Sequence, residues 1–287
     1  MIHPAGNQET GRILTEAGIQ RDAAVKLLGP LTDLVAQAGA AILAIDRSAM
    51  AVSGKADGSP VTAADLAADS VIAEGLARLA AGVFALSEET CARGLPRGQR
   101  SYFLVDPLDG TKEFIAGRDE FTVNVALLTD GVPLLGIVGA PALGLIWRGV
   151  VGVGAERLTV DRPGATVGAA TAIHTRPMPK EAPCVVAVSR SHGDPATSAF
   201  VDQRPGAVRQ MIGSAIKFCR VAEGSVDIYP RLAPTHDWDV AAGHAVVVAA
   251  GGRVTDSHGS ALSFAETRGD FIIPEFIAWG DPAAARS

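Results

Sequence analysis

The chain has 287 residues, of which 48% are hydrophobic and 5% aromatic, enough for a sizeable core in one large or two ordinary domains. This composition argues against disorder and suits an α/β or α+β protein. The formal charge is −6, from 31 acidic and 25 basic residues, and the absence of any basic run argues against binding a nucleic-acid polymer.

In chain order, "MIHPAGNQETGR" lacks the basic-then-apolar pattern of a signal peptide, and a mobile tail is expected there. Leu31, Leu34, Val35, Ala38, Ile42 and Ile45 recur at helical spacing, which predicts an amphipathic helix after the Gly29-Pro30 break. "KADGSP" reads as a loop. Thr62-x-x-Asp65 reads as a capping box opening a second helix towards Leu79. "VFALSEE" and "YFLVDPLD" are apolar runs that end in acids. Phe121, Val123, Val125 and Leu127 alternate with polar Thr122 and Asn124 before a turn at Asp130-Gly131, the pattern of an antiparallel hairpin.

An irregular stretch from about Asp161 to Glu181 is a plausible junction. It divides an α+β half, 1–165, from an α/β half, 166–287. The second half offers a strand in "CVVAVSRSH", a helix from Ile212 to Ala222, a strand in "SVDIYPRL", a helix from Asp237 to Ala250 and a last strand in "DFIIP". The uncharged run from Gly131 to Trp147 is broken by prolines and glycines and is short for a membrane helix. Cys91, Cys184 and Cys219 are far apart, which suggests neither a disulfide framework nor a zinc site and points to a reducing cytoplasm.

Three acidic features share a context at strand ends or helix starts: Glu88-Glu89, Asp106-x-x-Asp109 and Asp237-x-Asp239. Each alone has a plain explanation: solvated surface, turn chemistry at Asp-Pro and Asp-Gly, and complementing a helix dipole. Gathered together, they would repel one another unless a cation compensated, and an all-oxygen donor set points to Mg²⁺ before Zn²⁺. Gly110 and Thr111 follow at once, with backbone amides for phosphate and a hydroxyl for water. Spacing alone does not show that these distant carboxylates meet.

"DPLDGT", with "SEE" upstream and "WDVAAG" far downstream, resembles the inositol monophosphatase superfamily of Mg²⁺-dependent, lithium-sensitive phosphatases. The resemblance runs in order over nearly the whole chain and implies their layered α-β-α-β-α sugar-phosphatase fold. It implies two or more Mg²⁺ ions on Glu88, Asp106, the Leu108 carbonyl, Asp109 and Asp239, with Thr111 and Asp65 activating the attacking water. "DGTKEFIAGRDEFTVNVAL", "VSRSH" and "GSAIKFCRVAEGSVDIYPRLAPT" resemble the CysQ-type 3'(2'),5'-bisphosphate nucleotidase branch. That branch removes the 3'-phosphate of 3'-phosphoadenosine 5'-phosphate, giving AMP and phosphate, in nucleotide metabolism and sulfur assimilation.

On this resemblance Glu88, Leu108, Asp109, Gly110, Thr111 and Asp239 contact substrate, and His192, Ser214, Lys217 and Arg231 hold the nucleotide. Lys217 and Arg220 point away from the apolar side of their helix, where the bland alternative is a solvated face. His236 and Asp237 are expected beside the site or at the surface, and His244 as a packed histidine. Other substrates, inositol monophosphate or fructose 1,6-bisphosphate, stay open, as does a non-catalytic nucleotide- or metal-binding regulator. A homodimer is a candidate assembly. CysQ-like proteins also suggest a peripheral location at the cytoplasmic face of the inner membrane.

Overall fold

A computed structural model describes residues 18–47, 52–54, 60–96, 98–161, 167–190, 193–264 and 271–286. The expected tail, most of "KADGSP" and residues 162–166 of the expected junction lie outside the described residues, while the rest of that junction is described and includes a short strand, Thr171–Ile173. Helix α1 spans Arg21–Leu43 and buries Ala24, Leu31, Leu34, Val35, Ala38 and Ile42 along one stripe. It starts well before the expected Gly29-Pro30 break and carries Pro30 inside it. Pro30 and Lys26 lie on the exposed side, so water can satisfy the carbonyl that proline leaves without a donor.

Strand β1 (Val52–Gly54) pairs antiparallel with β2 (Pro60–Thr62). Helix α2 (Ala63–Leu79) then begins at the expected capping box: Ala64 N donates to Thr62 Oγ1, and Thr62 N donates to Asp65 Oδ2 at 2.8 Å.

Seven strands follow: β3 (Phe84–Ser87), β4 (Ser101–Asp109), β5 (Thr122–Thr129), β6 (Val132–Ala140), β7 (Leu145–Val150), β8 (Gly154–Thr159) and β9 (Thr171–Ile173). They lie side by side in chain order, antiparallel except for the β3–β4 pair. A short helix, α3 (Thr111–Ile115), links β4 to β5. The expected hairpin turns at Asp130 and Gly131, both at positive φ, the backbone twist a two-residue hairpin prefers.

Period two decides what each strand presents to which layer. Phe103 and Val105 on β4, with Val123, Val125 and Leu127 on β5, join α1 and α2 in one core. Tyr102 and Leu104, with Ala126 and Leu128, join a second core on the opposite face. A sheet covered on both sides reads as a continuous buried run, so Thr122 and Asn124 are as buried as their apolar neighbours.

The rest of the chain supplies the second core and a second sheet. Its elements are β10 (Val185–Ser189), α4 (Pro195–Asp202), β11 (Val208–Ile212), α5 (Ile216–Ala222), β12 (Ile228–Arg231), β13 (Thr235–His236), α6 (Asp237–Ala249), β14 (Arg253–Thr255), β15 (Ile272–Ile273) and β16 (Phe276–Trp279). The second sheet has the order β11-β10-β12-β16-β14. Helices α5 and α6 lie between the two sheets, giving the α-β-α-β-α layering.

Two expectations change here. The helix expected from Ile212 begins at Ile216, because Ile212 ends a strand that pairs in parallel with β10. "DFIIP" contributes only a two-residue ladder with β13, and the last strand of the sheet is β16. Helix α6 approaches the first sheet closely because the cross-strand partners Gly136 and Gly149 form a trough for it. A Cβ on Gly136 would stand 2.2 Å from the Ala242 carbonyl.

Candidate active site

Asp106 continues the even-numbered side of β4, with Tyr102 and Leu104, and so faces the core that contains α6. Three residues further, Asp109 would face the other way on a regular strand. The β4–β5 register shifts between Asp106 and Asp109, and this irregularity returns Asp109 to the same side. Leu108 N donates to Asp106 Oδ1 at 3.0 Å, which fixes the carboxylate against its own turn. Gly110, at φ 91, then turns the chain into α3.

Asp239 arrives from the first turn of α6. Its Oδ2 accepts from His236 N at 3.1 Å and from Thr235 Oγ1, closing the N-terminus of the helix. One oxygen each of Asp106, Asp109 and Asp239 lies within 4.8 Å of the others. Among the described residues, the hydrogen bonds to the Asp109 carboxylate all fall on Oδ2: Ser214 Oγ at 2.6 Å, Ala215 N at 2.7 Å and Thr122 Oγ1 at 3.5 Å, while Ser214 Oγ also lies 3.2 Å from the Asp109 carbonyl. Each of the three carboxylates thus has one oxygen engaged by the protein and one without such a bond among the described residues.

Burial first, then the charges of Glu88, Asp109, Asp239 and Asp65, push the Asp106 pKa well above the carboxylate range. Burial and Asp239 also raise Asp109, against Ser214, Lys217 and the Ala215 amide. Glu88, at the start of a 3₁₀ turn after β3, lines the same cavity of about 360 Å³. Converging carboxylates with one oxygen apiece left over are the donor set of a hard divalent cation, which would remove this repulsion. The residues present therefore fit such an ion.

Beside the cluster, Thr111 Oγ1 lies 3.2 Å from Asp65 Oδ1 and 3.2 Å from the Leu108 carbonyl. Gly110 and Thr111 line the cavity. Lys217 does not lie on a solvated face: it is 3% exposed, and its ammonium donates to the carbonyls of Ile212 and Ser214. Burial pulls its pKa down to about 8, opposed by the Asp109 charge. Arg231 lines the cavity, and its Nε is buried with no hydrogen-bond partner among the described residues. Arg220 instead pairs with Glu223. His192 lies outside the described residues.

Asp237 is buried, and His236 stacks on Trp238 at 4.7 Å while lining the cavity. Three residues outside the expected site set also contribute: Thr122, Thr235 and Glu120 hold Asp109, Asp239 and the Gly213 amide. The signal for Thr122 was a hydroxyl that, with Asn124, interrupts a strand buried on both faces. For Thr235 it was a hydroxyl one helical turn before an acid. Glu120 carried no local signal.

The model of the inositol monophosphatase family matches residues 25–284. The chain is 41% identical over 253 residues to the 3'(2'),5'-bisphosphate nucleotidase CysQ of Escherichia coli K12, covering 87% of this chain and 98% of that protein. The protein of the same description in Buchnera aphidicola is 36% identical over 258 residues, covering 88% and 93%. Among solved structures, CysQ from Bacteroides thetaiotaomicron, described as a bacterial member of the inositol monophosphatase family, superposes with a TM-score of 0.71 at 31% identity. That superposition covers 91% of this chain and 98% of the other. The shared layers, the matched span and the identity to whole relatives lead to one conclusion: the chain belongs to the inositol monophosphatase family.

Proposed function

We propose that the chain is a 3'(2'),5'-bisphosphate nucleotidase, a cation-dependent phosphomonoesterase that takes the 3'-phosphate from 3'-phosphoadenosine 5'-phosphate to leave AMP and phosphate. The observation that carries the reaction class is the convergence of Asp106, Asp109 and Asp239, each with an oxygen to spare. The substrate rests on the similarity to CysQ proteins over nearly their whole length.

In this reading Glu88, Asp106, Asp109, Asp239 and the Leu108 carbonyl hold Mg²⁺, two or more ions. Magnesium is the natural ion for an all-oxygen set. The bound cation supplies a Lewis acid, which makes water a better nucleophile and a phosphate ester a better electrophile. Asp65 Oδ1 takes the Thr111 proton into a hydrogen bond and leaves the Thr111 oxygen to accept from, and so orient, the attacking water. The Gly110 and Thr111 amides are the candidate donors to the phosphate under attack.

The second phosphate needs a cation of the protein's own, and Arg231, in the same cavity wall, offers a buried Nε with no hydrogen-bond partner among the described residues. Lys217 adds positive charge behind Ser214, and His192 completes the proposed nucleotide contacts. We divide the labour between a first half, 1–165, that carries most cation ligands and a second, 166–287, that carries Asp239 and the nucleotide side. No helix among the described residues is long and apolar enough to cross a membrane.

The test is phosphate release from 3'-phosphoadenosine 5'-phosphate, inositol 1-phosphate and fructose 1,6-bisphosphate side by side, with Mg²⁺ and with excess chelator. The nucleotide is expected to give the highest kcat/KM, and all release to stop with chelator. Preference for either of the other two compounds replaces the substrate assignment, and release that survives chelation rejects the reaction class.

A further inference from the structure

Three hydrogen bonds converge on one oxygen of Glu120, in the loop between α3 and β5. Arg190 Nε and Nη2 donate to Oε2 at 3.1 and 2.8 Å, and Gly213 N donates to the same atom at 2.9 Å. Arg190 Nη2 also donates to the Met211 carbonyl at 3.0 Å. The approach requires glycine at 213: a Cβ there would stand 2.7 Å from the Glu120 carbonyl and 2.9 Å from Glu120 Cβ.

The turn held this way carries Ser214, a residue with a side chain at φ 54. Such a conformation is disfavoured and persists only where neighbours hold it. Lys217 grips the turn through the carbonyls of Ile212 and Ser214, and Glu120 grips it through the amide between them. The turn in exchange presents two donors, Ser214 Oγ and Ala215 N, to Asp109 Oδ2.

A half-exposed ion pair between Glu120 and Arg190 would by itself contribute little. The charged acceptor on the Gly213 amide is the stronger element, and it lies on the path to the acidic cluster. We propose that Glu120 is a positioning residue for the cation site. By holding Gly213 it keeps Ser214 and Ala215 on one oxygen of Asp109 and leaves the other for the ion. This rests on Asp109 as a cation ligand but not on the nucleotide as substrate.

The experiment is calorimetric titration of Mg²⁺ into the protein without nucleotide, for the wild type, Glu120→Ala, Glu120→Gln, Ser214→Ala and the double variant Glu120→Ala/Ser214→Ala. Thermal unfolding without Mg²⁺ checks the fold of each. Glu120→Ala is expected to weaken Mg²⁺ binding roughly tenfold or more, the usual consequence of removing an outer partner of a ligand. Glu120→Gln keeps an oxygen for the Gly213 amide and should stay within about threefold of wild type, because the donor–acceptor contact survives. The double variant should bind no more weakly than the weaker single variant, since both changes break one path.

Wild-type affinity in Glu120→Ala, or full additivity in the double variant, overturns the proposal. If Glu120→Ala does not fold, Glu120→Asp keeps the charge but shortens the reach. Weakened binding there supports the proposal, and wild-type affinity overturns it. Failure of the nucleotidase reading would appear in the substrate comparison and leave these titrations unchanged.

Discussion

Thr111 Oγ1 lies 3.2 Å from Asp65 Oδ1, although 46 residues separate the two in sequence. The other oxygen of Asp65 accepts from Thr62 N at 2.8 Å and Thr62 Oγ1 at 2.6 Å. One carboxylate thus closes the start of α2 with one oxygen and meets Thr111 with the other. The helix cap sets the direction of the Asp65 side chain before any substrate arrives.

From this pair we expect Thr111→Ala to lower kcat by about 10²- to 10⁴-fold with little change in KM, the range for losing a positioned proton-handling group. Thr111→Ser restores the hydroxyl and should recover most of the rate. Steady-state kinetics of both variants decide the matter. Equal losses in Ser and Ala would mean that the methyl group, not the hydroxyl, is what the site needs.

Asp109→Asn should abolish turnover and leave the fold intact. The asparagine oxygen can still accept from Ser214 and Ala215, while the amide nitrogen replaces the oxygen that those bonds leave over. Phosphate release and a thermal melt, taken together, check this. Near-normal activity would sink the assignment of Asp109 to the cation.

Arg231→Ala should raise KM for the 3',5'-bisphosphate about tenfold or more, as expected for losing a hydrogen bond to a charged group. The effect should be much smaller with adenosine 3'-monophosphate, which has no 5'-phosphate. Equal effects on the two nucleotides would move Arg231 away from the second phosphate.

Burial pulls the His244 pKa down to about 4 from an ordinary 6.5, and its Nδ1 has no hydrogen-bond partner among the described residues. The unfolded chain therefore binds this proton more readily than the folded one between those values. The stability is complete above the unfolded pKa and is lost as pH falls towards about 4, by on the order of 3 kcal/mol in full. His244→Leu should flatten that part of the pH dependence. Denaturant titrations of both proteins at several pH values between 4 and 7 measure it. Parallel curves would show that the histidine is not buried as the structure has it.

Much of the site was legible because its pieces are local. A strand that ends in Asp-Pro-Leu-Asp-Gly-Thr, a capping box at Thr62 and two acids at the start of a helix each follow from turn chemistry, capping and the helix dipole. The hairpin at Asp130-Gly131 is equally local, since its twist is set by two residues. Strand β11 and the start of α1 were not legible. One depends on a parallel partner distant in sequence, and the other on which side of a helix a proline falls.

The sequence by itself determined which residues could bind a cation and, through the order of its motifs, the family whose layers would bring them together. Only the tertiary structure decided which oxygen of each carboxylate is engaged and which is left over. It also showed that Lys217 is buried under the Ser214 turn and that Glu120 grips that turn from the other side. Those relations depend on a register shift in β4, a glycine trough beneath α6 and a contact between loops far apart in the chain. No local rule reaches them, because each is the outcome of packing two sheets around the helices between them.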